Sequence, residues 1–437
     1  MQAVVVTFDR LATTALGCYG NEWIETPHFD RLASQSVVFD RHFAEHVGDS
    51  AGMGWSTGCL PTEASARPFE CASAWSALLE QAGVELHLVN EFDVLPWSMA
   101  LRKTSRTLIS NRHESDPKPD EIPFACLVKA AGELLAAPRG EASRIVWLHS
   151  AGVPEPWLPP EGFATLYFDE YAERGCDMAS VTRDNWGTHP AAYAGYVSLL
   201  DHWLGELVTV VEAAAKSEPT LLIVTAARGG DWMRLLTEHA MSMVERVGYS
   251  ATDEETSSPV ECPESQDEPV EPLIARAPFV PRESVALADS ITRTPLLLRR
   301  FDDGTFDPEF AGTRSNRLVQ TADLSATLLD YFQLPVTSVP SDGRSLLSEL
   351  AETQPPREAV CFTDGTDARG IRTAEWSCLV EDASSSDESE AAAKLFAKPE
   401  DIWEANDVSG QQRDVAASLV ARLNEILPSA NGETHRR

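Results

Sequence analysis

VVVTFDRLATTALGCYGNEWIETPHFDRL, residues 4–32, decides the fold of this chain. The valines of residues 4–6 form a short β-branched run bounded by polar residues, which predicts a strand buried on both faces of a mainly parallel sheet. Asp9 follows at the carboxyl end of that strand, where open α/β sheets place their ligands. The glycines and asparagine within residues 17–21 predict a loop, and Pro27 begins a helix. Taken alone, Asp9 is typical of a loop or capping carboxylate.

Strands and helices alternate along the rest of the chain. Apolar runs predict strands at 84–89, 144–149, 219–225 and 294–299, and helical periodicity predicts helices at 73–81, 124–137 and 193–215. This alternation is typical of an α/β domain with a doubly wound, mainly parallel central sheet flanked by helices and connected by right-handed crossovers.

Two polar segments interrupt this pattern. Residues 251–271 are acidic and rich in Ser, Thr and Pro, which predicts a disordered surface insertion, with a lid or regulatory loop as the functional alternative. The polar tract at 382–390 predicts a hairpin loop.

Composition and charge exclude several classes of partner. The chain has 437 residues, 43% of them hydrophobic, which is enough for one large globular domain and a smaller appendage. A net charge of −33 and a pI near 4.6 argue against nucleic acid, anionic membrane surfaces and polyanionic glycans, because all would be repelled. Adaptation to salt is the simplest explanation of this acidity.

The beginning of the chain and its cysteines bear on location. MQAVVVTFD has no basic region, apolar signal core or small-residue cleavage site, and no later stretch reaches about 18 uninterrupted apolar residues. The eight cysteines form no CxxC pair, which is typical of reduced, mostly buried thiols rather than zinc ligation or a disulfide framework. We therefore expect a soluble, cytoplasmic protein.

Ordered segments along the whole chain resemble one family. They are GCYG at 17–20, TPHFDRLA at 26–33, YVSLLDHWLGEL at 196–207, TPLLLRR at 294–300, VQTADLSATLLDYFQLP at 319–335, DGRSLL at 342–347, IRTAEWSCLV at 371–380 and LFAKPEDIWEANDVSG at 395–410. This order resembles the sulfatases, in the alkaline phosphatase superfamily. The resemblance implies a sulfatase-like α/β domain over residues 1–350 and a small C-terminal α+β subdomain over 351–437.

The resemblance also locates a nucleophile position that this chain does not fill. Sulfatases carry a CxPxR motif, whose cysteine or serine becomes formylglycine, shortly before a TGxxP segment. Counting back from TGCLP at 57–61 puts Gly48 at the nucleophile and Gly52 at the arginine, and counting forward from Asp9 gives Gly48 or Asp49. Neither residue can become formylglycine, because glycine has no side chain to oxidise and aspartate has no hydroxyl or thiol.

Two alternative nucleophiles remain open. Cys59 begins CLPTE, which is similar to the modification motif, but Glu63 stands in place of the arginine and the loop would lengthen by eleven residues. Ser50 is the unmodified alternative, since phosphatases of the superfamily use serine or threonine here. A serine nucleophile needs a metal or base beside it.

The metal positions of the family are replaced as well. The resemblance implies a calcium site formed by two early aspartates and by an Asp and a His or Asn of a later TSDHGE segment. Here Arg10 stands at the second aspartate, and Ala227 and Arg228 stand at the later pair, so Asp9 is the only surviving ligand. Calcium takes about six to eight oxygen ligands, which one carboxylate does not supply. We predict no metal and no cofactor.

Acids replace the groups that contact sulfate in the family. A GKWHLG-like segment aligns with AGVELHLVNEFDVL at 82–95, with Glu91 at the lysine and Asp93 at the histidine. Pro154 aligns with a further histidine, while His149 remains at a strand end, either as a residual ligand or as a loop histidine bonded to backbone. At about 4 Å and an effective dielectric near 20, like charges repel by about 4 kcal/mol, which opposes sulfate or phosphate binding.

The exchanged residues are complementary in charge. We predict that Arg10 and Arg228 pair with Asp9, Glu91 and Asp93, replacing the metal with an internal ion-pair cluster.

The predicted function is a catalytically inactive sulfatase-like protein, a pseudoenzyme, that binds or regulates an unknown protein partner or small molecule. A hydrolase of sulfate or phosphate esters with relocated groups, such as Ser50 or Asp49 with His149, is the alternative, and a structural relic is a third possibility. The aromatic segment 147–160 and Trp232 are candidates for a ligand groove, with core packing as the other interpretation.

Overall fold

The computed structural model describes most of the chain. The described residues are 1–48, 51–60, 67–92, 95–99, 101–109, 118–138, 142–154, 156–167, 189–230, 287–302, 305–306, 312–336, 341–365, 368–381 and 392–427. Asp49, Ser50, Asp93, Trp232 and the tracts 251–271 and 382–390, which carry sequence predictions, lie outside these ranges.

The valine-rich opening segment forms the middle of a large, mainly parallel sheet. The strands are β1 Gln2–Arg10, β2 Val37–Phe43, β3 Val84–Asn90, β4 Thr104–Leu108, β5 Ser143–Gly152, β6 Thr220–Arg228, β7 Leu296–Asp302, β8 Thr305–Phe306 and β9 Thr313–Gln320. Their order in the sheet is β4-β3-β5-β1-β6-β7-β2-β9, with β8 paired to β7, and β7 runs antiparallel to both β6 and β2.

Helices cover both faces of this sheet. They are α1 Pro27–Ala33, α2 Met53–Thr57, α3 Arg67–Gln81, α4 Pro123–Ala136, α5 Glu161–Ala164, α6 Pro190–Ala215, α7 Asp289–Thr292, α8 Asp323–Tyr331 and α9 Leu346–Leu350. Helices α1, α4 and α6 pack on one face, and α2, α3 and α8 pack on the other. In the described ranges no helix has the length and apolarity needed to cross a membrane.

The alternation of side chains along β1 explains why both faces are covered. Val4 and Val6 belong to the apolar cluster under α4 and α6, whereas Ala3 and Val5 belong to the cluster under α3 and α8. All four side chains are fully buried, because successive residues of a strand point to opposite faces. The doubly wound, mainly parallel sheet predicted from the sequence is therefore confirmed.

The strands and helices predicted from sequence are all present, although several begin or end at other residues. Strand β5 continues three residues past His149, because its register with β1 runs on to the pair Arg10 and Gly152. Helix α3 begins at Arg67, six residues before the predicted start. The exact ends of strands and helices depend on contacts with other parts of the chain, which the local sequence pattern does not reveal.

A second, antiparallel sheet follows near the C-terminus. Its order is β10-β11-β12-β13, with strands β10 Ala359–Thr363, β11 Ala368–Thr373, β12 Trp376–Glu381 and β13 Ala392–Ala397, and helix α10 Arg413–Ile426 packs on it. One face joins the large domain through an apolar cluster that includes Phe43, Leu318 and Phe362. This is the small α+β subdomain expected at the end of the chain, and it lies against the loop after β2.

Candidate functional site

Adjacent strand ends bring three of the predicted site residues together, Asp9, Arg10 and Arg228. Strand β1 lies between β5 and β6, and Arg10 is in register with Gly152 on one side and Arg228 on the other. Asp9 therefore lies at the carboxyl edge of the sheet beside both arginines. This is the edge at which parallel α/β sheets bind ligands.

Arg228 bridges Asp9 to the loop that follows β2. Its Nη2 donates to the Asp9 carboxylate at 3.1 Å, and its Nη1 donates to the Val47 carbonyl at 2.8 Å. Both side chains are largely shielded, with exposed fractions of 25% for Asp9 and 23% for Arg228. The guanidinium therefore lies between the first strand-end carboxylate and the residue that precedes Gly48.

Arg10 supplies a second, more exposed charge at the same carboxylate. Its Nε lies 3.7 Å from Asp9 Oδ2, and its side chain is 40% exposed. Its backbone carbonyl accepts a hydrogen bond from Val153. Gly152 passes so close that a Cβ there would meet the Arg10 carbonyl oxygen at 2.2 Å. The predicted pairing of Asp9 with both arginines is confirmed.

Gly48 occupies a space without room for a side chain. A Cβ added there would lie 2.4 Å from the Asp364 carbonyl oxygen and 3.0 Å from the His46 ring. The β10–β11 connection reaches this point because Thr363 exchanges backbone hydrogen bonds with Glu45 and Val47. The C-terminal subdomain thus fills the space beside Gly48, the residue that counting back from TGCLP predicts at the nucleophile position.

Gly52 is equally closed to a larger residue. Its φ of +81° lies in the left-handed region, and a Cβ would meet the Trp55 ring at 2.6 Å. It also caps the N-terminus of α2, which holds Trp55 in the core. The residue predicted from sequence at the motif arginine is therefore in a tight turn against the Trp55 indole ring.

Glu91 does not join the ion-pair cluster, so this part of the prediction is wrong. Its Oε2 accepts a hydrogen bond from the Ala151 backbone at 3.3 Å, and Ser150 also bonds to it. The strand order β3-β5-β1-β6 explains the difference, because β5 separates Glu91 from the arginines on β1 and β6. Burial raises the pKa of the Glu91 carboxyl to about 7, and its Oε1 is buried without a hydrogen-bond donor among the described residues.

His149 belongs to a buried aromatic cluster on β5. Its Nδ1 lies 2.9 Å from Thr7 Oγ1, which also bonds to the Leu148 carbonyl and the Trp147 indole. The Trp55, Trp97 and Phe92 rings lie within 5.4–5.7 Å of its ring centre. Burial lowers the pKa of His149 to about 4, so the imidazole is neutral at pH 7. It is a strand residue bonded to a side chain, rather than a loop residue bonded to backbone.

The remaining predicted positions lie in or beside the core. Ala227 is 1% exposed and packs in the cluster under α3 and α8, while Pro154 is half-buried after β5. Trp147 and Trp157 are 0% and 3% exposed. For these two tryptophans the core interpretation is confirmed over the ligand groove.

The described side chains at this edge do not fit a calcium site of the family type. Asp9 is the one carboxylate at the β1 end, and a guanidinium lies 3.1 Å from it. Within the described ranges no group of three or more His, Cys, Asp or Glu side chains is arranged to hold a metal ion. The donor set required for calcium, about six to eight oxygens, does not match a carboxylate neutralised by arginine.

Sequence reasoning missed the two backbone carbonyls that shape the site. The Val47 carbonyl holds Arg228, and the Asp364 carbonyl closes the space at Gly48. Neither has a sequence signal, because every residue carries a carbonyl. Glu45 was also missed; it is 3% exposed, its side chain accepts a hydrogen bond from the Ala322 amide, and burial raises its pKa to about 8.

The family of the chain follows from this fold together with a sequence match. The sulfatase family model matches residues 2–334, which include the large sheet and the ends of β1, β5 and β6. The chain belongs to the sulfatase family. Among curated proteins, none matches it at significant similarity.

Solved structures of similar fold include hydrolases. One is a protein in complex with its substrate D-glucosamine-2-N,6-O-disulfate (14% identity, TM-score 0.65, 97% of this chain and 96% of that chain). Another is the phosphonate monoester hydrolase of Agrobacterium radiobacter (15% identity, TM-score 0.63, 97% and 95%). A third is a 2-O GAG sulfatase (13% identity, TM-score 0.62, 97% and 91%). At these identities the likeness establishes the fold.

Proposed function

We propose that this sulfatase-family protein does not hydrolyse esters by the family mechanism and acts instead by binding a partner. The observation that carries the proposal is Arg228, whose guanidinium contacts both the Asp9 carboxylate and the Val47 carbonyl. The family resemblance implies a metal ion between these elements. A guanidinium neutralises Asp9, but it donates hydrogen bonds only and has no open coordination position with which to polarise an ester.

The nucleophile position supports the same proposal. Gly48 has no oxidisable group, and the Asp364 carbonyl fills the space that a cysteine or serine side chain would need. The replacement is therefore structural as well as chemical, because a point reversion has to displace the C-terminal subdomain.

At the positions where the family contacts sulfate, Glu91 does not replace the positive charge of the family's lysine. Glu91 stands at the family's lysine, and its pKa of about 7 makes it partly ionised at neutral pH. A protonated carboxyl contributes no positive charge, and an ionised one repels sulfate. Both forms argue against sulfate or phosphate as the natural ligand.

A hydrolase with relocated groups is the second candidate, built on Asp49 or Ser50 with His149. A neutral imidazole at the strand edge is the feature in its favour. A general base works best when its pKa lies near the working pH, and burial leaves His149 at about 4. Its Nδ1 is also engaged by Thr7. We therefore favour the non-catalytic function.

Hydrolysis assays separate these two functions. We expect the protein to turn over aryl sulfates, phosphates and phosphonates no faster than a variant in which Asp9, Asp49, Ser50 and His149 are all changed to Ala. The measurement is initial rate at high enzyme concentration, with both proteins purified side by side. Turnover in the wild-type protein that disappears in the variant would establish the relocated hydrolase.

Calcium provides an independent test. A ligand at a hundredfold excess over its Kd stabilises the folded state by about 2.7 kcal/mol, so an intact family-type site would raise the Tm by a few degrees. We expect calcium and chelator to leave the Tm unchanged beyond the effect of magnesium at equal ionic strength. That reference is needed because divalent cations screen a net charge of −33. A calcium-specific shift that vanishes in Asp9→Asn would contradict the proposal.

We infer the partner class from the lack of side-chain space at Gly48 and Gly52 and from the net charge. With the space at Gly48 and Gly52 filled, we favour a protein partner over a small molecule, and the acidic surface argues against nucleic acid, anionic membranes and polyanionic glycans. Co-purification from the native source followed by mass spectrometry tests this choice. A stoichiometric protein partner is the expected result, and a retained small molecule displaced by Arg228→Ala would reverse it.

A further inference from the structure

Two buried thiols lie in unusually close contact beside α2. The Sγ atoms of Cys59 and Cys71 are 3.0 Å apart, nearer than two sulfur atoms approach in ordinary van der Waals contact. The residues are 4% and 2% exposed. Cys59 follows the left-handed Gly58 at the end of α2, and Cys71 lies in the second turn of α3.

The other described cysteines have no such geometry. Cys361 and Cys378 are also buried, but they lie on β10 and β12, and Ile371 of β11 is in register between them. Two strand spacings of about 4.8 Å separate their backbones. Cys18 and Cys126 are half-buried and lie in separate elements. The pair at 59 and 71 is thus distinguished by contact rather than by burial.

We propose that Cys59 and Cys71 form a reversible disulfide when the protein meets hydrogen peroxide, so that this pair is an oxidation site. Peroxide oxidises one thiol to a sulfenic acid and releases one water. The second thiol then attacks that sulfur, the S–O bond breaks, the S–S bond forms and a second water leaves. Two thiols and one peroxide give one disulfide and two waters.

Such a bond would tie the end of α2 to α3 next to the candidate site. Helix α2 carries Trp55 against the His149 ring, and Ser56 donates to the Trp97 carbonyl at 2.6 Å. The disulfide would close the chain from residue 59 to 71. Closing a loop restricts the local opening of the elements it joins. Oxidation should therefore stiffen the wall of the aromatic cluster around His149.

Peptide mapping of the intact, folded chain tests the proposal. After treatment with hydrogen peroxide and alkylation of remaining thiols, cleavage at Glu45, Glu63, Glu70 and Glu80 separates the two cysteines. We expect peptides 46–63 and 71–80 to appear joined, at a mass about 2 Da below their sum, and to separate after dithiothreitol. Amide exchange in residues 53–60 should slow in the oxidised protein and recover on reduction.

Matched variants give the controls. Cys59→Ala and Cys71→Ala should each abolish the joined peptide, and Cys361→Ala, at a cysteine of equal burial, should leave it unchanged. Two results would overturn the proposal. One is that both thiols of the folded wild-type protein are alkylated only after denaturation, with no joined peptide. The other is over-oxidation of one cysteine to a sulfinic acid while its neighbour stays reduced.

Discussion

Replacing Gly48 with cysteine is expected to produce a less stable protein that has no sulfatase activity. The new Cβ would lie 2.4 Å from the Asp364 carbonyl oxygen, so the β10–β11 connection has to move. Forcing extra atoms into a filled site costs about 1–3 kcal/mol, and here the obstacle is backbone. We expect activity to stay absent even with a maturation enzyme, because Arg228 is paired with Asp9, the one metal ligand of the family that the sequence retains.

Urea denaturation and aryl sulfate hydrolysis measure the two effects. Gly48→Ala is the matched variant for the steric effect, since it adds the same Cβ without a thiol. Gly410→Cys adds a thiol at an exposed position with open space around it and should change stability little. A measurable sulfatase rate in Gly48→Cys would show that the metal positions have been misassigned. Unchanged stability would show that the β10–β11 connection can move at little cost in free energy.

The large sheet could be predicted because its signals are local. Residues 4–6 and the other apolar runs are buried on both faces, so each segment reads as a strand by composition alone. Local composition could not predict that β7 runs antiparallel to its neighbours, because the direction of a strand depends on the path of the segment before it. The same limit applies to the exact start of α3.

In the candidate site, too, some contacts could be predicted from the sequence and others could not. The pairing of Asp9 with Arg228 could be predicted, since both residues end strands that lie side by side at one edge. The position of Glu91 could not, because it depends on β5 lying between β3 and β1. The space at Gly48 depends on a carbonyl more than 300 residues away in sequence, and backbone atoms leave no trace in the residue pattern.

Replacing Lys398 with methionine is expected to destabilise the protein by about 3–5 kcal/mol at pH 8. The change leaves the buried carboxylates of Asp289 and Glu404 without the ammonium that neutralises them. The ammonium lies 2.9 Å from Asp289 and 3.2 Å from Glu404, with exposed side-chain fractions of 1%, 13% and 3%. These contacts are ion pairs without hydrogen-bond geometry. Arg372 also pairs with Asp289, at 3.8 Å, but among the described residues the ion pair of Glu404 is with Lys398, so the arginine does not replace the lysine at both acids.

Helix α7 connects the ion-pair cluster of Lys398, Asp289 and Glu404 to the candidate site. Asp289 begins that helix, and its amide donates to Glu404 at 2.9 Å. The carbonyls of Ile291 and Thr292 then accept hydrogen bonds from Gly229 and Ala44. Gly229 directly follows Arg228, and Ala44 directly follows β2. The lysine therefore supports the strand end that carries Arg228 and the loop after β2 that Arg228 contacts.

The loss in Lys398→Met should depend on pH. Burial, with Asp289 nearby, raises the pKa of the Glu404 carboxyl from 4.5 to about 6 in the folded protein, and removing the lysine raises it further. The folded state then holds this proton more tightly than the unfolded state does. The stability linked to the proton is fully present below about pH 4.5 and is lost as the pH rises through the folded pKa. The variant should thus lie closer to wild type at pH 5 than at pH 8.

Urea midpoints for variant and wild type, taken at both pH values, measure this difference directly. Lys394→Met is the matched control, because it removes the same charge from a half-buried position on β13, which ends one residue before Lys398, outside this cluster. The control should lose less than about 1 kcal/mol, as partly exposed pairs do, with little change between the two pH values. The prediction would be contradicted if both variants lost the same stability, or if the loss in Lys398→Met did not depend on pH. Either result would mean that solvation stabilises the Asp289 and Glu404 carboxylates without the lysine.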